Sequence, residues 1–148
     1  EKSWKTIEAD AFATLFAVNA TGPLLALKAL LPHVPRDRRA LIGVIGARVG
    51  SIGDNRLGGW YGYRASKAAL AMLLRTLSIE LARTHPQLTV LMLHPGTVDT
   101  GLSQPFQRGV TNLLTPEASA AAMLAVLDAA TPDQSGQQRD WNGELVGP

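Results

Sequence analysis

The sequence predicts an α/β fold in three layers, with helices on both sides of a parallel sheet. Two short runs, residues 40–45 and 88–93, are almost entirely apolar, which is typical of strands that are buried on both faces. Segments with a helical spacing of apolar residues occupy about residues 7–31, 63–83 and 115–130. This alternation of helices and strands predicts a layered α/β arrangement.

The first predicted helix carries a polar residue on its apolar side. Phe12 and Phe16 recur at helical spacing, and Asn19 follows on the same stripe. A buried amide without hydrogen-bond partners costs about 1–3 kcal/mol. Pro23 has no N–H to donate to the carbonyl of Asn19. We expect either a kinked helix whose Asn19 carbonyl is free to hold a water, or a simple helix break before Gly22 with Asn19 satisfied locally.

The second predicted helix begins with a tyrosine and a lysine on one face. Tyr63 and Lys67 are four residues apart, so their side chains point the same way. An ammonium group near a phenol lowers the pKa of the phenol from about 10 toward the range of an acid–base catalyst. The alternative is two ordinary residues on a solvated face. The glycine-rich stretch 46–62 predicts a loop before this helix. Two apolar stripes along it predict burial on two sides, by a sheet and by another helix, with a partner subunit as the alternative source of the second cover.

The second predicted strand ends at a loop, His94–Thr100, where ligands bind in open α/β sheets. Residues 101–115 have few repeating apolar positions and predict a mobile segment. Thr115, followed by proline, predicts the start of the last helix. We expect a polar loop over residues 131–140 and a final strand over residues 141–146.

Composition narrows the class of protein. The 148 residues are 46% hydrophobic and 18% charged, which predicts one globular domain over residues 1–148. The net charge is only +2 and aromatics are 5%, so we expect no nucleic acid partner. Cysteine is absent and the three histidines lack ligand-like spacing, so we expect no metal site. We also expect no membrane segment and a cytoplasmic location, because no uncharged apolar run reaches about 18 residues and no signal peptide is present.

Three motifs in order resemble the short-chain dehydrogenase/reductase family. They are Asn19-Ala20-Thr21-Gly22, Tyr63-x-x-x-Lys67 and Pro95-Gly96-x-x-x-Thr100. The resemblance covers almost the whole chain, aligned to the C-terminal half to two-thirds of a typical member. It implies a Rossmann-like three-layer α/β/α fold whose N-terminal half is missing. Residues 50–55 and 58–63 are most similar to the C-factor-like and sniffer-like carbonyl reductases.

The resemblance implies an oxidoreductase that uses NADP or NAD to reduce a carbonyl or oxidise an alcohol on a small molecule. Tyr63 would be the general acid or base, and Lys67 would lower its pKa and bind the nicotinamide ribose. Asn19 would hold a water that links Lys67 to solvent. The nicotinamide would lie against Pro95, Gly96, Val98 and Thr100.

Two further expectations concern the substrate and the assembly. Trp60 and Phe106 are candidates for the wall of the substrate pocket, with ordinary packing as the alternative. The family analogy and the apolar helix favour a homo-oligomer formed through residues 62–84.

The chain departs from the family pattern at two places. Ala47 stands where the catalytic serine is expected, and Ser51 is the candidate replacement. Losing one oxyanion donor costs on the order of 100- to 1000-fold in rate. The glycine-rich phosphate turn would precede residue 1, so we expect the chain alone to be weak or inactive. The alternatives are a non-catalytic dimerisation or interaction module and an inactive fragment of such a reductase.

Overall fold

The structure, a computed structural model, describes residues 2–148, with the side chain of Phe106 outside the described part. The helices are α1 (Ala9–Phe16), α2 (Gly22–Leu30), α3 (Tyr61–Leu81) and α4 (Pro116–Asp128). The strands are β1 (Ala40–Ile45), β2 (Leu88–His94), β3 (Thr97–Val98), β4 (Leu113–Leu114), β5 (Gln138–Asp140) and β6 (Leu145–Val146).

The main sheet has the order β1-β2-β5-β6. Strands β1 and β2 pair in parallel from Ala40 opposite Leu88 to Ile45 opposite Leu93. Strand β5 continues the parallel arrangement, and β6 pairs with it in the antiparallel sense. The carboxyl ends of β1, β2 and β5 therefore meet at one edge of the sheet, which is where ligands bind in folds of this class.

Apolar side chains fill the space on both faces of β2. Val90 and Met92 pack with the leucines of α2 and α3, whereas Leu91 and Leu93 pack against α4 and Ala130. Alternate residues of one strand therefore enter different layers, as the pleat of a strand requires. The predicted parallel α/β fold in three layers is confirmed.

At the C-terminal side of the chain, one prediction is wrong and another holds only for its last two residues. The expected loop over residues 131–140 contains β5, which pairs with the end of β2. The expected single strand over residues 141–146 is a tight turn followed by β6, in which the Asp140 N–H donates to the carbonyl of Glu144 at 2.8 Å. Strand β5 has the sequence Gln-Arg-Asp. It contains no apolar residue, so an apolar pattern could not predict a strand there.

The segment over residues 101–115 contains a short 3-10 helix, Gln104–Phe106, and strand β4. Strand β4 pairs in parallel with β3, with Thr97 opposite Leu113. This small second sheet was not predicted, because each strand has only two residues. The expected mobility of the segment stays a prediction.

The first helix continues through Pro23, so the alternative of a helix break is wrong. Helices α1 and α2 are joined by a π-helical turn, Ala17–Thr21, in which the Gly22 N–H donates to the carbonyl of Ala17. A π-turn inserts an extra residue into the helix and is frequent at functional sites. Asn19 lies inside this turn.

Apolar helical surface remains exposed. On α3, Leu70 and Leu74 are buried, whereas Met72 and Ile79 are 67% and 53% exposed. Within the described chain, α3 therefore packs against both the sheet and α1, and its second apolar stripe stays uncovered at Met72 and Ile79. Within the continuous helical stretch Ala9–His33, the most apolar 18-residue window has a mean hydropathy of 1.5, and only 11% of that window is buried. By length and composition it could cross a membrane, a criterion that core helices also meet.

Candidate active site

The tyrosine–lysine pair lies at the carboxyl edge of the sheet. Both residues belong to the first two turns of α3. The Lys67 Nζ donates to the carbonyl of Ile45, the last residue of β1, at 3.2 Å. The same Nζ lies 6.0 Å from the centroid of the Tyr63 ring. The structure therefore brings Tyr63 and Lys67 together where the sequence predicts them.

Burial decides the ionisation of both side chains. It raises the pKa of Tyr63 above its ordinary value and lowers the pKa of Lys67, because each charged form loses solvation. The expected lowering of the Tyr63 pKa by Lys67 is therefore wrong for the protein alone. The ammonium group is hydrogen-bonded to the strand carbonyl rather than to the phenol.

Asn19 is tied to the same turn of α3 through a serine. Its Nδ2 donates to Ser66 Oγ at 3.1 Å, and Ser66 Oγ donates to the Tyr63 carbonyl at 2.8 Å. Ser66 has no exposed surface, so this short chain of bonds is shielded from water. Sequence reasoning missed Ser66, although a serine on an apolar helix next to Lys67 was a signal for it.

Ala47 and Ser51 lie on either side of a 3-10 turn, Arg48–Gly50, after β1. Ala47 is buried, and so is Ser51, which is 3% exposed. The Ser51 hydroxyl donates to the carbonyl of Pro148 at 3.2 Å and accepts from the Asp54 N–H at 3.2 Å. The hydroxyl therefore has structural partners on both sides. Its donation to a substrate oxygen stays a prediction.

The predicted nicotinamide loop follows β2, the neighbour of β1. Gly96 has a φ of 76°, and a Cβ there would lie 2.8 Å from the ring of Trp141. Buried Ser119 donates to the carbonyl of Pro95 at 2.7 Å and so fixes the start of the loop. Val98 belongs to β3 and Thr100 is exposed. Among the residues that the structure describes, no hydrogen bond joins this loop to the tyrosine–lysine pair.

A charged network that the sequence did not reveal lies at the same edge. Arg48 contacts Asp54 at 2.9 Å and buried Asp140 at 3.3 Å. His94 is the last residue of β2 and lies opposite Asp140. Burial lowers the pKa of His94, and this effect outweighs the opposing effect of the Asp140 carboxylate. The network joins the loop after β1 to the ends of β2 and β5. Within residues 2–148, no group of three or more His, Cys, Asp or Glu side chains could hold a metal ion.

The donor set suits the sugar of a nicotinamide nucleotide. A lysine ammonium has three N–H donors, and one hydrogen bond of Lys67, to Ile45, is present. Two donors remain for hydroxyl groups of a ribose. The left-handed Gly96 keeps the loop backbone free of a side chain.

Comparisons with known proteins establish the family. The family model described as short chain dehydrogenase matches residues 1–110. The chain is 39% identical over 134 residues to the C-signal of Myxococcus xanthus, covering 90% of this chain and 76% of that protein. It is 36% identical over 141 residues to 1-hydroxy-2-glutathionyl-2-methyl-3-butene dehydrogenase of Rhodococcus sp. (strain AD45), covering 95% of this chain and 60% of that protein. The chain belongs to the short-chain dehydrogenase family, a family of oxidoreductases.

Solved structures agree with this assignment. The NADPH-bound carbonyl reductase from chicken fatty liver superposes with a TM-score of 0.84 at 28% identity, over 99% of this chain and 60% of that one. The carbonyl reductase Sniffer of D. melanogaster superposes with a TM-score of 0.83 over the same shares, and its 22% identity shows the fold alone. The C-signal relative and the chicken carbonyl reductase agree with the predicted carbonyl-reductase-like subgroup. The chain spans about 60% of the length of the first relatives that it matches.

Proposed function

We propose that this chain carries the proton-transfer and nicotinamide side of an NAD(P)-dependent carbonyl reductase. The observation that supports this most is the position of Tyr63 and Lys67 at the carboxyl end of β1, with the Lys67 Nζ 6.0 Å from the phenol ring. The NADPH-bound carbonyl reductase with the same fold supports the class of cofactor. Family membership supports oxidoreductase chemistry.

Tyr63 acts as the general acid. Burial keeps its pKa above the ordinary value, so the phenol holds its proton through neutral pH. Its hydroxyl then gives that proton to the oxygen of the carbonyl substrate as the carbon is reduced. This ionisation favours the direction of reduction, because alcohol oxidation would require a phenolate.

Lys67 holds the cofactor and supplies positive charge beside the phenol. Its free N–H donors bind the nicotinamide ribose, and Pro95, Gly96, Val98 and Thr100 line the nicotinamide. The reduced nucleotide, NADPH or NADH, supplies the hydride when bound. The side chain of Asn19 holds the π-turn against α3 through its hydrogen bond to Ser66. A water held by Asn19 near Lys67 is part of the proposal.

Ser51 remains the proposed donor to the substrate oxygen. Its hydroxyl would have to leave the Pro148 carbonyl, at 3.2 Å in the protein alone, when a substrate binds. Ala47, which is buried after β1, stands where the family has its catalytic serine, and an alanine has no hydroxyl to donate.

The test is reduction of a small ketone with NADPH, followed by loss of absorbance of the reduced nicotinamide. It uses the 148-residue chain and, in parallel, a fusion to the preceding residues of the chicken carbonyl reductase. We expect Tyr63→Phe to abolish reduction while NADPH binding, measured by nucleotide fluorescence, is kept. Ser51→Ala should lower kcat on the order of 100- to 1000-fold if Ser51 is the oxyanion donor.

Each variant decides a separate part of the proposal. Undiminished reduction by Tyr63→Phe would exclude Tyr63 as the acid. Unchanged kcat in Ser51→Ala would show that the Ser51 hydroxyl makes only its structural contacts with Pro148 and Asp54. A folded, soluble chain that binds no nicotinamide in either form would instead support the interaction module.

A further inference from the structure

Arg64 follows the proposed acid, and its guanidinium group collects three backbone carbonyls. Nε donates to Gly59 at 3.0 Å, Nη1 to Val49 at 3.0 Å and Nη2 to Gly58 at 3.3 Å. Gly58 and Gly59 lie in the turn that leads into α3, and Val49 lies in the 3-10 turn after β1. One side chain therefore joins the start of α3 to the two loops that precede it.

The turn that Arg64 holds has an unusual backbone. Gly58, Gly59 and Trp60 have φ values of 64°, 69° and 50° in succession. Glycine adopts this left-handed region readily, whereas a bulky residue there is strained. Within the described residues, Trp60 is the one residue other than glycine with a positive φ. Such conformations persist where the surroundings enforce them, and they cluster at ligand sites.

Arg64 contacts the strained residue twice. Its backbone N–H donates to the Trp60 carbonyl at 2.8 Å, and its guanidinium carbon lies 5.7 Å from the centroid of the indole ring. A planar guanidinium can hold several carbonyls and stack on an aromatic face at once, and a lysine ammonium cannot reproduce that geometry.

We propose that Arg64 is a positioning residue that fixes Trp60 as the wall of the substrate pocket. The indole lies three positions before Tyr63, at the N-terminus of the same helix. An indole ring packs best against aromatic and branched apolar groups. The substrate class that this wall fits is therefore a ketone or aldehyde that carries such a group. This inference rests on the proposed reduction at Tyr63.

The first experiment reads the position of Trp60 without any catalysis. The protein is labelled with 5-fluorotryptophan, which gives fluorine NMR signals for Trp4, Trp60 and Trp141. Replacing Trp60 with Phe assigns its signal. We expect Arg64→Lys to shift or broaden the Trp60 signal and to leave the other two unchanged. The matched control is Arg75→Lys on the same helix, whose guanidinium contacts the carbonyl of Ser135 at 3.2 Å.

The second experiment compares an aryl ketone with acetone as substrates, in the form of the protein that is active in the Tyr63 test. A displaced wall should lower kcat/KM for the aryl ketone on the order of 10- to 100-fold, mainly through KM. The value for acetone should change less than about threefold, because acetone does not reach the indole. Trp60→Gly should give the same selective loss without backbone strain, since glycine accepts a φ of 50°.

The outcomes separate this inference from the proposed function. A Trp60 signal that is the same in Arg64→Lys and the parent would overturn the positioning role, whatever the activity. Equal losses for both ketones in Trp60→Gly would overturn the wall and leave the chemistry at Tyr63 standing. A size-selective loss in both variants supports the inference even where Tyr63→Phe shows that another residue is the acid.

Discussion

In the proposed mechanism, Lys67 supports the phenol of Tyr63 only while the lysine is protonated. Because Lys67 is buried, its positive charge is the one that responds most to pH. The pKa of Lys67 is lowered from its ordinary value of 10.5, and the pKa of Tyr63 is raised from 10.0. A rise in pH therefore removes the charge of Lys67 earlier than that of a free lysine, and the proton of Tyr63 later than that of a free tyrosine. For the proposed reduction, this predicts a loss of activity on the alkaline side.

We predict that kcat/KM for ketone reduction is flat through neutral pH and falls as pH rises toward the lowered pKa of Lys67. Lys67→Arg should lower the rate but move the alkaline limb upward, because a guanidinium stays charged to a pKa above about 12. The measurement is a pH–rate profile of both proteins. An alkaline limb that does not move would assign the limb to another group.

The pairing of Tyr63 with Lys67 was predictable from the sequence, but the direction of the Tyr63 pKa was not. Spacing on a helix determines that two side chains share a face. The pKa of a phenol depends on how much water the folded chain removes, which spacing does not contain. The partner of Asn19 was hidden for the same reason, since Ser66 lies 47 residues away and meets it only in the fold.

At the scale of the elements, the 3-10 turn after β1 is in close contact with α3 at Gly50. A Cβ on Gly50 would lie 2.9 Å from the backbone carbon and from the Cβ of Lys67. Glycine is therefore required there for close packing rather than for a positive φ. This contact places the turn between Ala47 and Ser51 directly against Lys67.

We predict that Gly50→Ala destabilises the protein by roughly 1–3 kcal/mol and lowers kcat for ketone reduction by displacing Lys67. Urea unfolding and steady-state kinetics measure the two effects. The control is Gly147→Ala, where an added Cβ meets nothing within 4 Å. A Gly50→Ala protein as stable and active as the control would show that the turn can move away from α3 without cost.

Helices and strands with an apolar pattern were predictable from the sequence, whereas polar ones were not. Strands β1 and β2 and helices α3 and α4 have apolar patterns that determine their type. Pro23 left two alternatives for the first helix, a kinked continuous helix and a helix break. Tertiary packing, which the sequence does not show, determines that the helix continues through a π-turn. Strand β5 exists because its backbone pairs with Met92 and His94, an interaction that its polar side chains do not indicate.

Over the whole molecule, the two apolar clusters on either face of β2 account for the layers, but they leave apolar helical surface uncovered, including part of α3. Met72 and Ile79 are seven residues apart on α3, so they lie two turns apart on the same side. Both remain more than half exposed. Contiguous exposed apolar surface often marks a place of contact with another protein surface.

We predict that the chain associates with itself through this face of α3. Replacing Met72 and Ile79 together with Glu should convert the oligomer to a monomer, because two carboxylates cannot be buried unpaired in an apolar interface. Light scattering after size exclusion measures the mass. Leu124→Glu is the control, since Leu124 is 64% exposed on α4, across the sheet from α3. A parent that is monomeric, or a double variant that stays oligomeric, would exclude α3 as the interface and assign its exposed face to another role.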